Sequence, residues 1–314
     1  MLLTIDLRFG LGCWSFGGGY WLDQDRQDSI RTIHAALRAG LRHFDTAQNY
    51  GNGRSEQLVG QQVRRFAPTI TRGDLTIATK MLLPPDPKQL KQSVELSLRR
   101  LCLDYVDILY IHWPDSTKNH QPYFDELRRL LDTGLARALG VSNFTPALLN
   151  QAVACAPISY CQMPVSLLWR RSLARLGPIC SANHIGIIAY SPLGMGLLSG
   201  KYHAPADFKP DDRRRNLFPL QQRYILVYQQ LMQTLSHEAQ SLGTSASTLA
   251  LAWVAKQKVS LVLLGARNRP QLELNLQAAE LSLPESTLEK LEVASQALDA
   301  LVPDREDNPF FHRW

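Results

Sequence analysis

Eight short apolar runs recur along this chain, and a segment of helical periodicity follows each of them. The runs are Arg8–Trp14, Leu41–Phe44, Leu75–Thr79, Tyr105–Ile111, Ala136–Val141, Ser159–Met163, Ile185–Ala189 and Leu261–Leu264. Runs so short and so poor in charge read as buried strands. Between the first two, Ile30, Ile33, Ala36 and Leu37 share one face of a helix expected from about Arg26 to Ala39. Thr145 and Pro146 offer an N-cap and a first-turn proline for the helix after the fifth strand. Eight strand–helix units predict one α/β domain over residues 1–314, a (β/α)8 TIM barrel. The competing arrangement, an open doubly wound sheet, usually has fewer strands and a glycine fingerprint. Gly10-Leu11-Gly12-Cys13-Trp14-Ser15 departs from that fingerprint at its third glycine. One long interruption, Leu193 to Gln222 after strand seven, has the length of a lid or binding loop. An extra helix is expected at the C-terminal end.

Composition removes several function classes. The net charge of +6 is modest and spread along the chain. Its densest basic cluster, Arg213-Arg214-Arg215, follows two aspartates and reads as a solvated loop rather than a nucleic-acid site. Ile185 to Gly200 is uncharged but broken by Pro192 and by glycines, and is too short to span a bilayer. Cys13, Cys102, Cys155, Cys161 and Cys180 are odd in number and lack metal-ligand spacing, as expected of reduced thiols in a cytoplasmic protein. The first residues carry no basic stretch ahead of an apolar core, so no signal peptide is expected.

Chemistry gathers at the strand ends. In a barrel these ends meet at one face, and catalytic groups come from several strands. Asp45 ends the second, and Tyr50 lies on the loop that leaves it; Lys80 ends the third and His112 the fourth. Each alone has a structural explanation, such as a buried ion pair or a satisfied core histidine. Together they suit proton transfer to a carbonyl oxygen. A free phenol titrates near pH 10, and a neighbouring ammonium is expected to lower that value, with Asp45 keeping Lys80 charged. His112 could orient the substrate oxygen. None of these groups can supply a hydride, so a reduction requires a cofactor.

With these residues in view, the chain resembles the aldo-keto reductase superfamily from about Phe9 to about Ala279. The resemblance rests on His43-Phe44-Asp45-Thr46-Ala47-Gln48-Asn49-Tyr50-Gly51, Gly140-Val141-Ser142-Asn143-Phe144 and Ala189-Tyr190-Ser191-Pro192-Leu193. It also rests on Leu264-Gly265-Ala266-Arg267 with the helix that follows. The family's catalytic tetrad then falls on Asp45, Tyr50, Lys80 and His112. The resemblance implies NADP(H) as cofactor. Ser142, Asn143 and Gln162 would bind the nicotinamide carboxamide and Tyr190 would stack on its ring, with Ser191 and Leu193 in the same motif. Gly265, Arg267, Gln271 and Asn275 would serve the adenosine end, Arg267 or a neighbour reaching the 2′-phosphate. A guanidinium at a loop-to-helix junction independently suits a phosphate. Leu264 and Leu274 depart from the family's usual proline and glutamate, and the entry hairpin ahead of Phe9 is short.

The expected activity is interconversion of an aldehyde or ketone and its alcohol, with Tyr50 as general acid and a small molecule, neither nucleic acid nor membrane, as partner. Trp14 and Trp113, with Trp21 and Phe144, are expected near the catalytic face, Trp14 and Trp113 as substrate contacts. The tail Asn308–Trp314 could also shape specificity. A cofactor-binding regulatory subunit of the same fold is the first alternative. A lyase forming a Schiff base on Lys80 is the second, and Asp45 beside the lysine argues against it.

Overall fold

The computed structural model describes residues 8–66, 69–115 and 118–302. Residues 1–7, where the shortened entry hairpin was expected, and the tail Asn308–Trp314 lie outside the described residues.

Eight parallel strands close into a barrel in sequence order. They are β1 (Phe9–Gly12), β2 (His43–Asp45), β3 (Thr76–Met81), β4 (Val106–Ile111), β5 (Ala136–Ser142), β6 (Ile158–Pro164), β7 (Gly186–Tyr190) and β8 (Leu261–Gly265). Pairing of Phe9 with Val262 and of Leu11 with Leu264 joins β1 to β8 and leaves no open edge. The expected (β/α)8 architecture is the one observed.

The connecting helices are α1 (Arg26–Arg38), α2 (Arg54–Phe66), α3 (Leu90–Leu101), α4 (Gln121–Asp132), α5 (Pro146–Cys155) and α6 (Arg171–Ala182). After β7 come α7 (Ile225–Ser241) and α8 (Ala246–Lys256), and after β8 come α9 (Arg269–Leu276) and the expected extra helix, α10 (Glu285–Asp299). Short polar side chains start several of them by accepting a first-turn N–H: Asp25 from Asp28, Thr145 from Leu148, Ser245 from Thr248 and Asn268 from Gln271.

Alternation along each strand sorts residues to the two faces of the sheet. Leu11, Phe44, Ile77, Leu109, Leu139, Val141 and Cys161 join the large apolar layer between barrel and helices. Ala78, Ile108 and Tyr110 form a small separate cluster inside the barrel, and Ile188, Leu261 and Leu263 form another. His43 and Asp45, two residues apart on β2, point the same way as these inner residues.

Most strand limits lie within a residue or two of expectation. The second strand runs His43–Asp45 where Leu41–Phe44 was expected. The N–H of Leu41 bonds at 3.0 Å to the carbonyl of Ala36, so Leu41 still closes the end of α1.

The long segment after β7 is folded rather than loose. Short 3-10 turns span Gly194–Ser199, Pro205–Asp207, Arg213–Asn216 and Phe218–Leu220, with Met195, Leu197, Leu198, Phe208, Leu217 and Leu220 buried. Arg214 corrects the reading of its cluster as solvated, because the residue is 8 % exposed. Asp212 takes its Nη2 at 2.6 Å, and the rings of Trp21, Tyr202 and Phe208 lie 5.2, 5.2 and 4.9 Å from the guanidinium carbon. Lys209 pairs with Asp23 at 2.5 Å, so the loops after β1 and β7 meet across one side of the barrel mouth.

Candidate active site

The strand ends bring four titratable groups together. The Lys80 ammonium forms an ion pair with Asp45 and donates at 2.8 Å to the carbonyl oxygen of Thr46. Both side chains are almost fully buried, at 1 % and 2 % residue exposure. The phenol oxygen of Tyr50 lies 3.5 Å from the same ammonium. His112 meets the Tyr50 ring edge-on, with centroids 5.6 Å apart and planes at 78°. Gln162 reaches across from β6 and donates to the second Asp45 oxygen at 2.8 Å.

Local sequence explains this convergence. The parallel ladder continues past the strands, with Thr46 N–H donating to Ala78 at 2.9 Å, Gln48 N–H to Lys80 at 3.0 Å and His112 N–H to Met81 at 2.8 Å. The loop that carries Tyr50 is therefore laid along β3 before it turns into α2. Behind it, Thr46 Oγ1 donates to Ser55 Oγ at 2.8 Å, and Ser55 Oγ donates to the Cys13 carbonyl at 2.8 Å.

Burial sets the protonation states. It pushes the Tyr50 phenol well above its ordinary value, with the Asp45 carboxylate acting in the same direction. The expectation of a lowered Tyr50 is thus corrected. The ammonium that was to lower it already has Asp45 as its countercharge, and desolvation of a phenolate outweighs what remains. Burial, followed by the Lys80 charge, pulls His112 well below the usual histidine range, so this ring is neutral at pH 7. Burial also pulls His43, one layer deeper in the barrel, down to about 4. Cys13 is raised, by burial first and by Asp45 second, and is no nucleophile at neutral pH.

A second group of side chains, all amides and hydroxyls, occupies the ends of β5, β6 and β7. Asn143 donates to the His112 carbonyl at 2.9 Å and to Ser142 Oγ at 3.1 Å, and accepts from the Tyr190 hydroxyl at 2.6 Å. Asn143 and Ser191 hold φ of 63° and 51°, a left-handed backbone that is uncommon outside glycine and often marks functional sites. At β8, Arg267 donates to the Leu22 carbonyl and, at 3.0 Å, to Gln24 Oε1. Gln271 Oε1 accepts from the Arg267 N–H at 2.9 Å, and Asn275 donates to the Gly265 carbonyl at 3.0 Å. Arg269 pairs with Glu273 at 2.6 Å.

Of the aromatic residues, Trp14 lies 6.1 Å from the Tyr50 ring and Trp113 lies 6.4 Å from His112, centroid to centroid. Tyr20 and Trp21 pack on Trp14 at 4.8 and 5.2 Å. Phe144 is instead buried in the core. Arg214 is a residue that sequence reasoning missed. Asp212, two residues ahead of it, was the available signal for a paired and not a solvated guanidinium.

Comparison with known proteins agrees with this geometry. The sequence profile of the Aldo/keto reductase family matches residues 8–296. An aldo-keto reductase of Bacillus subtilis is 34% identical over 277 residues, which cover 85% of this chain and 83% of the relative. An NADH-specific methylglyoxal reductase of Escherichia coli is 29% identical over 317 residues, covering 93% of this chain and 95% of the relative. Among solved structures, a glycerol dehydrogenase of Gluconobacter oxydans superposes with a TM-score of 0.79 at 30% identity, covering 96% of this chain and 93% of that one.

The neutral histidines generate a pH prediction. As pH falls through 6.5, the ordinary histidine value, the unfolded chain takes up protons that the fold refuses until about 4 at His43. This contribution to stability is complete above about pH 6.5 and is lost as pH drops toward 4. Urea unfolding at pH 7.5, 6 and 5 should give falling midpoints, with a shallower fall in His43→Gln. Equal pH slopes in the two proteins would assign the loss to other groups.

Proposed function

We propose that this chain, which belongs to the aldo/keto reductase family, reduces an aldehyde or ketone to the alcohol with NADPH and uses Tyr50 as its general acid. The observation that carries this reading is the convergence of Tyr50, His112 and the buried Asp45–Lys80 pair at the barrel mouth. The donors on β5–β7 suit a neutral carboxamide. Ser142, Asn143 and Gln162 would hold that group, Tyr190 the ring beside it, and Ser191, Leu193 and Gly265 the span toward the adenosine. When bound, the dinucleotide supplies the hydride that no side chain can.

The protein's own part is proton transfer and orientation. Because burial keeps the proton on Tyr50 at neutral pH, the phenol can donate to a carbonyl oxygen that gains charge. The ammonium at 3.5 Å then faces the phenolate left behind. A neutral His112 can donate one N–H to the same oxygen and fix its direction. Trp14 and Trp113 would flank the substrate with apolar surface.

Cofactor preference rests on residues of this chain, because one relative is NADH-specific. Arg269 is paired with Glu273, whereas the two acceptors described above for Arg267 are neutral. Arg267 therefore carries the charge that favours a 2′-phosphate, with Gln271 and Asn275 beside it on α9.

Tyr50→Phe should retain the fold and cofactor binding while carbonyl reduction, followed as NADPH oxidation, falls by about 10²–10⁴-fold. Near-normal turnover in that variant would remove Tyr50 from the chemistry. Wild type should bind NADPH more tightly than NADH by about one to two decades, since hydrogen bonds to a charged group contribute about 1.5–3 kcal/mol. Arg267→Ala should abolish most of that difference in fluorescence titrations. Equal affinities in wild type would remove the preference, and a preference that survives the substitution would move it to another residue.

A further inference from the structure

We infer that Gln48 is a positioning residue for Tyr50: it fixes the catalytic loop to α3 and so sets the reach of the phenol. This rests on the reading of Tyr50 as the general acid.

Tyr50 sits on a loop, and a loop must be held if a proton is to move over a fixed distance. Beyond the ladder to β3 and the Thr46–Ser55 hydrogen bond, two anchors hold this one. The first is a crossing of backbones, in which Gly51 has φ of 59° and a Cβ built there would lie 2.0 Å from the Gly17 carbonyl oxygen. A Cβ on Gly17 would in turn lie 2.5 Å from the Tyr50 carbonyl carbon. No side chain fits between the two strands of this crossing, so the loop is seated directly on the 3-10 turn Trp14–Gly17.

The second anchor is Gln48, on the far side of the loop. Its Nε2 donates at 2.8 Å to the carbonyl oxygen of Ser93 and at 2.9 Å to Ser97 Oγ. Ser93 Oγ lies 2.9 Å from Nε2 and donates at 3.1 Å to Oε1. Ser93 and Ser97 are one turn apart on α3 and present one face. The Gln48 backbone N–H is meanwhile bonded to Lys80, the residue whose ammonium faces the phenol. One residue thereby ties α3, β3 and the Tyr50 loop together. Proton donation depends steeply on placement: about 1 Å of misplacement can cost about 10²-fold in rate.

Gln48→Met keeps the length of the side chain and removes every one of its hydrogen bonds. The expected result is a fall of about tenfold or more in kcat per cofactor-binding site, with NADPH affinity within about twofold of wild type. The solvent deuterium isotope effect on kcat should rise, because proton transfer becomes more limiting. Ser93→Ala with Ser97→Ala should reproduce part of the loss, and adding both to Gln48→Met should cost little more. A purely structural role would lower thermal stability and the number of cofactor-binding sites, leaving kcat per site and the isotope effect at wild-type values, and that outcome overturns the inference. Tyr50→Phe serves as the control. If it is as active as wild type, the reading of the general acid fails; if it is inactive while Gln48→Met is normal, only the role of Gln48 fails.

Discussion

The ion pair of Lys80 with Asp45 is the constraint on which the rest of the site depends. Both partners are removed from water, and buried charges persist only when they are paired and their remaining hydrogen-bonding positions are filled. Here Thr46 and Gln162 supply the further partners, one from the loop after β2 and the other from across the barrel. Such a pair is a weak source of stability, since apolar replacements of similar volume are often as stable. What it supplies is a fixed charge distribution beside Tyr50. Desolvation and the Asp45 carboxylate keep the phenol protonated, and the ammonium lies where a phenolate would form.

Much of this is legible in the sequence alone. Asp45, Lys80 and His112 stand where an apolar strand gives way to a titratable residue, and parallel strands that close a barrel must deliver such residues to one face. Ser142 and Asn143 at the end of β5 and Tyr190 at the end of β7 came instead from the family resemblance of the motifs that hold them. Protonation states were less legible. An ammonium near a phenol predicts a lowered pKa, but the outcome turns on burial and on the countercharge, and both are products of tertiary packing. Arg214 was misread for a related reason: three adjacent arginines look solvated until the rings of Trp21, Tyr202 and Phe208, distant in sequence, close around one of them. Nothing in the sequence between Asp45 and Tyr50 singles out Gln48. Its partners are serines on α3, some 45 residues away.

Two loops complete the mouth of the barrel. The segment after β1 brings Trp14, backed by Tyr20 and Trp21, against Tyr50, and the segment after β7 packs upon it through Arg213, Arg214 and Lys209. The aromatic wall beside the phenol is thus continuous, through Trp21, with the rings around Arg214. Apolar burial under Met195, Phe208 and Leu220 holds the second segment in place.

In the proposed mechanism Asp45 and Lys80 act on Tyr50 as one unit, and a double-mutant cycle on kcat addresses that most directly. Asp45→Asn, Lys80→Met and the combined variant would be compared at saturating cofactor and substrate, with cofactor binding measured for each. Each single substitution should lower kcat by about two orders of magnitude or more, and the double variant should be little worse than either, as for residues that act together. Losses that multiply, or wild-type turnover in either single variant, would contradict the account.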